Sequence, residues 1–445
     1  MEKRIGIRRE DRSPWERRVP LMPEHVKELS EKHGIKFLVQ SSKIRVFSDE
    51  DYLRVGAKVE DSLSHCPIVF AVKEIPVHLI EHGKIYIFFP HTAKGQNHNM
   101  PMLKKMIDEK CTLIDYEKIV DEKGQRLVFF GTQAGQAGMV DSLWTYGQKL
   151  KIEGIETQFS MLRQAYTYLS LKDAKEKIKK IGRNINDEGL HASITPFICG
   201  FLGYGHVSKG AQEIFELMPY EEISPEELSE FIKNKEFSAH KVYKVVFKEH
   251  HIVKPRIPGE IFNIQDYYDR PEKYTPVFES YIPFLSIIMN CIYWSPKYPR
   301  FITKKFLKQY WDTVSSPKLK VIGDISCDIN GSVECTFRAT TPNVPVFTYD
   351  PIADKSTDGF EGTGVAIMAI DNLPAEIPLE SSIFFSKVLK RFIPDVAKAD
   401  YTGSFEDCNL PQEIKKAVIL YKGEFTPDYI YMKKFIENLS TSEGK

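Results

Sequence analysis

Short apolar runs alternate with amphipathic stretches along the first part of the chain. The apolar runs have the length and composition of buried strands, and they are RIGIR (4–8), IKFLVQ (35–40), PIVFAVK (67–73), KIYIFF (84–89) and CTLIDY (111–116). Between them, the stretches PEHVKELSEKHG, DEDYLRVG and NMPMLKKMIDEK have helical spacing. Strands that alternate with helices in this way predict an α/β fold with a parallel sheet that carries helices on both faces.

Side chains suited to catalysis follow four of these predicted strands. In parallel sheets, ligands bind outside the carboxyl ends of the strands, so residues that follow the strands meet at one edge. We therefore expect Lys73, His91 and Glu117 to line one cleft. Charged residues are common in surface loops, but four of five strand ends with such side chains favour a functional site. The residues in question are Arg8, Arg9, Glu10, Lys73, Glu74, His91 and Glu117.

A second unit is predicted to begin near Gly131. In GTQAGQAGMVDSLWTYGQKL, glycines at helical spacing lead into an amphipathic helix, and we expect these small residues to allow close helix packing. A helix over 379–390 follows two prolines and is expected to return the chain to the first unit. The predicted domains are residues 1–130 with 373–445, and residues 131–372. Further strands are predicted at HKVYKVVF, IPFLSIIMNCIYW, KLKVIGDIS, VPVFTYD and GVAIMAID.

A glycine-rich loop follows an apolar strand within residues 194–218. The strand runs into Gly203, Gly205 and Ser208, and an amphipathic helix comes next. A tight turn of this kind lets the backbone approach a pyrophosphate, whose charge the helix N-terminus stabilises. The pattern departs from GxGxxG because Ser208 stands in place of the third glycine. The next strand is expected to end near PYEEIS, where Glu221 or Glu222 could bind ribose hydroxyls.

Composition narrows the class of function. Lys plus Arg total 61 and Asp plus Glu total 61, so the charge gives no reason to expect nucleic acid or a membrane surface as partner. The 7 cysteines form no CxxC pair, which argues against a zinc site and a disulfide framework. No apolar run reaches about 18 residues, the length of a membrane helix. A strand predicted almost at Met1 leaves no room for a targeting peptide, so we expect a cytoplasmic protein.

No metal site is predicted. The adjacent residues His250 and His251 in KEHHIV offer imidazole ligands, but neighbouring residues on a strand point to opposite faces. No thiol or carboxylate cluster accompanies them in the sequence.

Seven motifs spread along nearly the whole chain carry a resemblance to a known family, and they are IGIRREDRSPWERRVPLMPEHVKEL, VFAVKEIP, YIFFPHTAKGQ, LIDYEKIVDEKGQRLVFFGTQAGQAGMVD, GYGHVSKGAQEIF, CDINGSVE and AIDNLPAEIPLESS. Together they resemble lysine-ketoglutarate reductase. This is the lysine-forming saccharopine dehydrogenase, which in animals and plants is the first half of the bifunctional aminoadipic semialdehyde synthase. More distantly, the chain is similar to alanine dehydrogenase and to the nucleotide-binding part of transhydrogenase. The resemblance implies two Rossmann-like doubly wound domains that flank a cleft, the first completed by the C-terminal segment.

The resemblance implies roles for the residues of the first unit. Arg18 in ERRVPLMP matches the arginine that holds a substrate carboxylate. Lys73 in VKEIP and His91 in PHT match the lysine and histidine that perform acid and base chemistry. Glu117 in DYE matches a carboxylate that stands beside the lysine. Imidazole, with an unperturbed pKa of about 6.5, suits proton transfer near neutral pH, so His91 is expected to be the main acid and base.

Cofactor binding is implied for the second unit. Gly203, Gly205 and Ser208 match the nucleotide loop, and Asp371 with Asn372 matches the segment that lies against the nicotinamide. The motifs match the animal and plant relatives, which use NADPH, more closely than the fungal ones, which use NAD. NADPH is therefore the expected cofactor. NADH is the alternative, because Glu221 or Glu222 could bind the ribose hydroxyls and no 2′-phosphate site is evident there.

The family reaction joins L-lysine to 2-oxoglutarate and reduces the imine to saccharopine. One alternative is another amino-acid dehydrogenase, such as one that makes alanine from pyruvate and ammonia. A second alternative is a nucleotide-binding protein without catalysis. The expected partners are these small molecules, and assembly into a homo-oligomer is left open.

Overall fold

The computed structural model describes residues 4–442 of the chain. The chain divides into two compact units. Unit 1 consists of Met1–Phe130 together with Pro378–Lys445, and unit 2 is Gly131–Ile377. Unit 2 is therefore inserted into unit 1 at two chain crossings.

The N-terminal part of unit 1 alternates strands with helices. Its strands are β1 (Arg4–Ile7), β2 (Lys36–Gln40), β3 (Lys58–Glu60), β4 (Ile68–Phe70), β5 (Ile85–Phe88) and β6 (Thr112–Asp115). Its helices are α1 (Pro23–His33), α2 (Asp49–Arg54) and α3 (Met100–Asp108).

Unit 2 follows without a break. Its helices are α4 (Gly131–Ile152), α5 (Leu171–Glu188), α6 (His206–Phe215), α7 (Leu228–Asn234), α8 (Glu249–Ile252), α9 (Ile264–Asp269) and α10 (Lys304–Thr313). Its strands are β7 (Phe197–Leu202), β8 (Tyr220–Glu222), β9 (Val242–Phe247), β10 (Val253–Pro255), β11 (Tyr274–Pro276), β12 (Ile287–Asn290), β13 (Val321–Asp324), β14 (Val346–Asp350), β15 (Lys355–Asp358) and β16 (Val365–Met368).

The chain then returns to unit 1. This segment contains α11 (Pro378–Leu389), α12 (Ile393–Lys398), α13 (Gln412–Lys415), β17 (Val418–Tyr421), β18 (Glu424–Phe425) and α14 (Lys433–Ser442).

The sheet of unit 1 has the strand order β18-β17-β6-β5-β4-β1-β2-β3 within the described residues. Strands β1 to β6 pair in parallel, and β17 adds to β6 in the antiparallel direction. Helix α11 covers this sheet, because Phe385 packs edge-on against Tyr116 at 4.9 Å between ring centroids. The returning segment therefore supplies both an edge strand and part of the core.

The sheet of unit 2 has the order β15-β14-β16-β13-β12-β7-β9-β8 in the described part of the chain. Strand β14 runs antiparallel to both of its neighbours, β15 and β16, and the other neighbouring pairs run in parallel. The third strand of this unit along the chain, β9, lies beside β7, whereas β8 lies at the edge. The predicted fold class, two α/β units with mostly parallel sheets, is confirmed.

Helices α4 and α6 pack at close range, as the glycines of GTQAGQAG predicted. A Cβ atom on Gly135 would overlap the carbonyl oxygen of Val207, and one on Gly210 would overlap that of Thr132. The backbones of the two helices are therefore in direct contact at these positions.

Two features of the fold differ from the sequence interpretation. His250 and His251 lie in the short helix α8 rather than on a strand, so their rings do not point to opposite faces. The strand that ends in PYEEIS is β8 at the sheet edge, so it is not the neighbour of β7. In the described part of the chain, no helix has both the length and the apolar character that a bilayer crossing requires.

Candidate functional site

An acid–base cluster lies where strands β4 and β5 of unit 1 end. The chain bends after β4 and places Lys73 and Glu74 beyond the sheet, and β5 leads through Phe89 to His91. The Nδ1 atom of His91 lies 2.6 Å from Oε1 of Glu74. Lys73 and His91 therefore lie beyond two neighbouring strand ends, with Glu74 in contact with His91.

The orientation of His91 is fixed by several contacts. Its backbone is in the left-handed region, with φ of 45°, which is uncommon for a residue other than glycine. The side-chain amide of Asn99 donates to the carbonyl oxygen of His91 at 3.2 Å and to Oε1 of Glu74 at 3.3 Å. The ring lies 6.2 Å from that of Phe89, nearly parallel to it. Because Nδ1 is bound to Glu74, proton transfer at this residue falls to Nε2.

Glu74 stays ionised in this cluster. Burial alone would raise the pKa of Glu74, but hydrogen bonds from His91 and Arg12 outweigh that effect and lower the pKa. The guanidinium of Arg12 forms an ion pair with the same carboxylate. This carboxylate therefore remains available to hold the ring of His91 through Nδ1.

Lys73 is half-buried and has a lowered pKa. Burial contributes most to this shift, and the charge of Arg18 adds to it, while the carboxylates of Glu74 and Glu16 oppose it. An ammonium with a lowered pKa gives up its proton more readily than an exposed lysine does.

Arg18, the expected ligand of a substrate carboxylate, is buried and paired within unit 1. Its Nε and Nη2 atoms donate to the two carboxylate oxygens of Glu16 at 2.7 and 2.6 Å. Its guanidinium carbon lies 4.6 Å from the ring centre of Phe130. Glu16 therefore already occupies the two-point geometry in which a guanidinium binds a carboxylate.

Glu117 follows β6 at the same sheet edge, but its contact is with another cation. Its Oε1 atom lies 3.5 Å from Nη1 of Arg126. The preceding Asp115 is fully buried, and burial together with the charge of Glu117 raises the pKa of Asp115 to about 7. The carboxylates with the largest effect on Lys73 are instead Glu74 and Glu16.

Sequence reasoning placed Glu74 among the strand-end residues of the cleft without giving it a specific role, and it did not identify Glu16 or Asn99. Glu74 follows a strand directly, so its position was the available signal. Glu16 lies in a loop far from Lys73 and His91 in the chain, and Asn99 lies in a turn eight residues after His91. No local pattern marks either residue.

In unit 2, the glycine loop joins β7 to α6. Gly203 has φ of 89°, and a Cβ there would lie 2.7 Å from Ile292, so glycine is required. Gly205 precedes the first residue of α6, and a Cβ at this position would meet open space. Ser208 is buried in α6, where its Oγ accepts a hydrogen bond from Gln212 at 2.9 Å. The hydroxyl of Ser208 therefore binds a side chain of its own helix.

A cavity of about 530 Å³ opens beside this loop. Aromatic side chains dominate its wall, and Glu249 supplies a carboxylate that accepts a hydrogen bond from the hydroxyl of Tyr268 at 2.7 Å. Glu249 follows β9, the strand beside β7, which is the usual position of a ribose-binding acid. The lining aromatic residues are Tyr204, Phe247, Tyr267, Tyr268, Tyr293, Tyr298 and Phe301.

Glu222, the acid expected to bind ribose, belongs to β8 at the sheet edge. Its Oε2 atom lies 2.7 Å from the Nζ atom of Lys244, which also contacts Glu216 at 2.7 Å. Strand β9 separates β8 from β7. The acid that lines the cavity beside the glycine loop is therefore Glu249, which follows β9, and not Glu222 of β8.

A second cavity, of about 470 Å³, lies on the α6 side of this sheet. Lys209 of α6 and Lys248 after β9 line it, and both are exposed. The histidines of α8 and Ser224 also line it. Two carboxylates, those of Glu222 and Glu226, line it as well, so its wall carries both signs of charge.

The two histidines of α8 are accompanied by a carboxylate, contrary to the sequence interpretation. Within the described residues, ligand atoms of Glu226, His250 and His251 all lie within 4.8 Å of one another. Both ring nitrogens of His251 are engaged, because Nδ1 accepts from the backbone N–H of Lys248 at 3.0 Å and Nε2 lies 2.8 Å from Oε1 of Glu226. Nε2 therefore carries the proton in this arrangement.

Asp371 and Asn372 follow β16 at the carboxyl edge of the same sheet as the glycine loop. Asp371 is exposed, and its backbone N–H donates to the carbonyl oxygen of Thr340 at 3.3 Å. These two residues thus lie on the ligand-binding side of unit 2.

Comparison with known sequences identifies relatives along the whole chain. Residues 6–137 match the family "Alanine dehydrogenase/PNT, N-terminal domain". The chain is 38% identical to alpha-aminoadipic semialdehyde synthase of Arabidopsis thaliana, over 97% of this chain and 41% of the relative. It is 34% identical to the mitochondrial alpha-aminoadipic semialdehyde synthase of Mus musculus, over 98% of this chain and 48% of the relative. The chain thus spans less than half the length of these relatives.

A shorter relative and two solved structures match almost end to end. The saccharopine dehydrogenase [NAD(+), L-lysine-forming] of Emericella nidulans is 25% identical over 87% of this chain and 90% of the relative. L-alanine dehydrogenase superposes with a TM-score of 0.61 at 16% identity, covering 98% of this chain and 99% of its own. The transhydrogenase of Sinorhizobium meliloti superposes with a TM-score of 0.55 at 14% identity, covering 96% and 99%. These two structures share the fold.

Proposed function

Because the chain is homologous along nearly its whole length to the alpha-aminoadipic semialdehyde synthases, we propose that it condenses L-lysine with 2-oxoglutarate and reduces the imine to saccharopine. The saccharopine dehydrogenases that match most of this chain carry the same chemistry in their name. The observation that carries the proposal is the cluster of Lys73, Glu74 and His91 at adjoining strand ends, in a chain with these relatives.

The proposed reaction needs several proton transfers. The ε-amine of lysine attacks the keto carbon of 2-oxoglutarate, and the carbonyl oxygen takes up a proton to become the hydroxyl of a carbinolamine. That hydroxyl takes a second proton and leaves as water, which gives the imine. A reduced nicotinamide dinucleotide supplies the hydride that reduces the imine carbon. Overall, amine, ketone, reduced cofactor and one proton give secondary amine, oxidised cofactor and water.

We assign the transfers to the two strand-end residues. His91 takes the proton from the attacking amine at Nε2 and returns it to the departing hydroxyl, a role that imidazole fills near neutral pH. The ammonium of Lys73 polarises the carbonyl oxygen and donates to it, which its lowered pKa makes easier. Glu74 holds the ring of His91 through Nδ1.

We assign carboxylate binding to Arg18, whose charge lies close enough to Lys73 to lower the pKa of that lysine. A substrate carboxylate would have to share the guanidinium with Glu16 or displace it. Glu117 is assigned to the same site from the family motif, with its charge balanced by Arg126.

The first test uses the substrates and two variants. We expect oxidation of the reduced cofactor to saturate with lysine and 2-oxoglutarate, and not with pyruvate and ammonia. Lys73→Met and His91→Gln should each lower turnover by roughly 10²-fold or more, the scale of general acid–base catalysis. Lys27→Met and His82→Gln, which change exposed residues of unit 1, serve as matched controls. Normal turnover by both site variants, or turnover with pyruvate and ammonia alone, would refute the assignment.

The proposed cofactor is NADPH. The glycine loop with Gly203 and Gly205 would hold the pyrophosphate, and the aromatic cavity with Glu249 would take the adenosine. The second cavity next to it supports binding of a 2′-phosphate through Lys209 and Lys248, because its two carboxylates are already bound, Glu222 to Lys244 and Glu226 to His251. Following the family motif, Ser208 and Glu222 support this loop and strand, and Asp371 with Asn372 lies against the nicotinamide.

Lys248→Ser tests the cofactor assignment. An ion pair with a phosphate contributes about 1.5–3 kcal/mol, so the KM for NADPH should rise about tenfold or more while the KM for NADH stays nearly constant. Lys254→Ser, a change of another exposed lysine in this unit, is the matched control. A parent enzyme that uses NADH in preference to NADPH would contradict the assignment.

We also propose a reducing compartment, the cytoplasm. All cysteines in the structure are free thiols, and most are buried. Free thiols are typical of proteins in reducing compartments.

A further inference from the structure

The carboxylate of Glu10 binds the backbone at the bend that leads to Lys73. Its Oε1 accepts the N–H of Val72 at 2.7 Å, and its Oε2 accepts the N–H of Lys73 at 2.9 Å. Glu10 is buried, with 6% of its surface exposed. Two consecutive amides thus converge on the two oxygens of one side chain.

This contact replaces a missing strand pairing. Strand β1 pairs with β4 through Ile7 and Phe70, and the last bond between the two chains runs from the N–H of Arg8 to the carbonyl oxygen of Phe70. Beyond that point the backbone that follows β1 supplies no further acceptor to the β4 chain in the described residues. The side chain of Glu10 supplies the acceptors instead, so the bend is fixed on the β1 side.

We propose that Glu10 is a positioning residue that fixes the bend after β4, and thereby directs the ammonium of Lys73 toward the reacting carbonyl. This inference rests on the proposed catalytic role of Lys73. Glu10 does not touch substrate in this assignment, and its effect on the reaction passes through the backbone of Lys73.

The environment of Glu10 makes a carboxyl side chain electrostatically costly at this position. Burial and the charge of Glu16 raise the pKa of Glu10 to about 7, although Arg8 and the two amides act in the opposite direction. An apolar side chain would avoid this cost, but it would leave two buried N–H groups without acceptors. Glutamine has one acceptor oxygen and would lose one of the two bonds.

The experiment measures steady-state constants for Glu10→Gln and Glu10→Asp in two backgrounds, the parent chain and Lys73→Met. In the parent chain, Glu10→Gln should lower kcat about tenfold, because small displacements of a catalytic group are costly, while the KM for NADPH stays unchanged. In Lys73→Met, the same change should have little further effect on kcat, since the group it positions is absent. Glu10→Asp retains the charge but not the reach, so it should be impaired as well.

A matched control is available in unit 2. Oδ1 of Asp350 accepts the consecutive N–H groups of Ile352 and Ala353 at 2.9 and 3.0 Å. Asp350→Asn therefore makes the same change from carboxylate to amide beside two backbone N–H groups of unit 2. This variant should leave kcat unchanged. Thermal melting of every variant shows which of them fold.

Each outcome has a distinct meaning. Normal kcat in Glu10→Gln, with Lys73→Met strongly impaired, would overturn this inference alone. An equal loss of kcat in both backgrounds would show that Glu10 acts on folding or on another group, and would also overturn it. A normal kcat in Glu10→Asp would show that the charge at position 10 matters and the placement of its oxygens does not, and it would overturn the inference. Near-normal turnover by Lys73→Met would refute the proposed function itself.

Discussion

At the scale of single residues, the site depends on a histidine held in an uncommon conformation. A residue other than glycine in the left-handed region costs about 1–3 kcal/mol and persists only where its surroundings hold it there. For His91, with φ of 45°, those surroundings are the hydrogen bonds to Glu74 and Asn99. The conformation directs the imidazole toward Glu74 and leaves Nε2 for chemistry.

Glu74→Gln tests the electrostatic part of this arrangement. The Glu74 carboxylate raises the pKa of Lys73 against the effects of burial and Arg18, so its removal should lower that pKa further. The limb of the pH–rate profile that reports deprotonation of Lys73 should therefore move to lower pH, and kcat should fall about tenfold. Rates across pH 5 to 10 would show this shift, and an unchanged profile would contradict it.

The sequence was informative for some of these residues and silent for others. Lys73 and His91 follow strands directly, and the parallel sheet then brings them together, so local pattern was sufficient. The partner of Arg18 was not predictable, because its pairing with Glu16, two residues earlier, depends on the conformation of a loop that has no sequence periodicity. The placement of Asn99 depends on how the loop after His91 folds back, which no periodicity records.

At the scale of elements, the contact between α4 and α6 fixes the glycine loop to the body of unit 2. Gly135 and Gly210 allow the two backbones to touch, and the loop with Gly205 stands at the start of α6. The position of the helix N-terminus, where an anion would bind, therefore depends on helix packing one to two turns away.

Gly135→Ala tests this contact. The added methyl group would overlap the carbonyl oxygen of Val207, and overpacking of this kind costs about 1–3 kcal/mol. We expect a lower melting temperature. Gly205→Ala is the contrasting variant, because its methyl group meets open space. It should melt like the parent chain and bind NADPH more weakly.

Strand identity was largely predictable, and strand order was not. The predicted strands HKVYKVVF and GVAIMAID are observed as β9 and β16. The edge position of β8 comes from pairing between distant segments, and a strand of three exposed residues carries no signal for its neighbours. For this reason the acid nearest the glycine loop is Glu249 and not Glu222.

At the scale of the whole molecule, a buried pair of carboxyl groups makes stability depend on pH. Asp141 of α4 and Glu376, which follows β16, face each other in unit 2. Oδ1 of Asp141 accepts the N–H of Ala165 at 2.7 Å, and Oε1 of Glu376 accepts from Gln164 at 3.0 Å. Burial, together with the neighbouring charge, raises the pKa of Glu376 well above its ordinary value, and burial raises the pKa of Asp141 to about 6.

The sign of the effect follows from proton binding. Because the folded chain holds protons that the unfolded chain releases, the stabilising contribution is complete below about pH 4 and is lost as pH rises through 6 and above. Glu376→Gln removes one titrating group, so its stability relative to the parent should improve as pH rises from 5 to 8. Denaturant unfolding at both values measures it, with Glu230→Gln, an exposed change, as control. If the free energies of unfolding of the variant and the parent differ by the same amount at both pH values, the two carboxyl groups do not share a proton.

The insertion of unit 2 has a consequence for synthesis on the ribosome. Strand β6 ends at Asp115, and its partner β17 does not begin until Val418. While the intervening chain is translated, the edge of β6 remains open to pairing with other chains, which is a hazard for aggregation. Unit 2 is complete at Ile377 and is free to fold first. A premature stop codon shortly before β17 should therefore yield a chain in which unit 2 is folded and the sheet of unit 1 has an unpaired edge at β6. Chaperones would bind such a chain and proteases would degrade it.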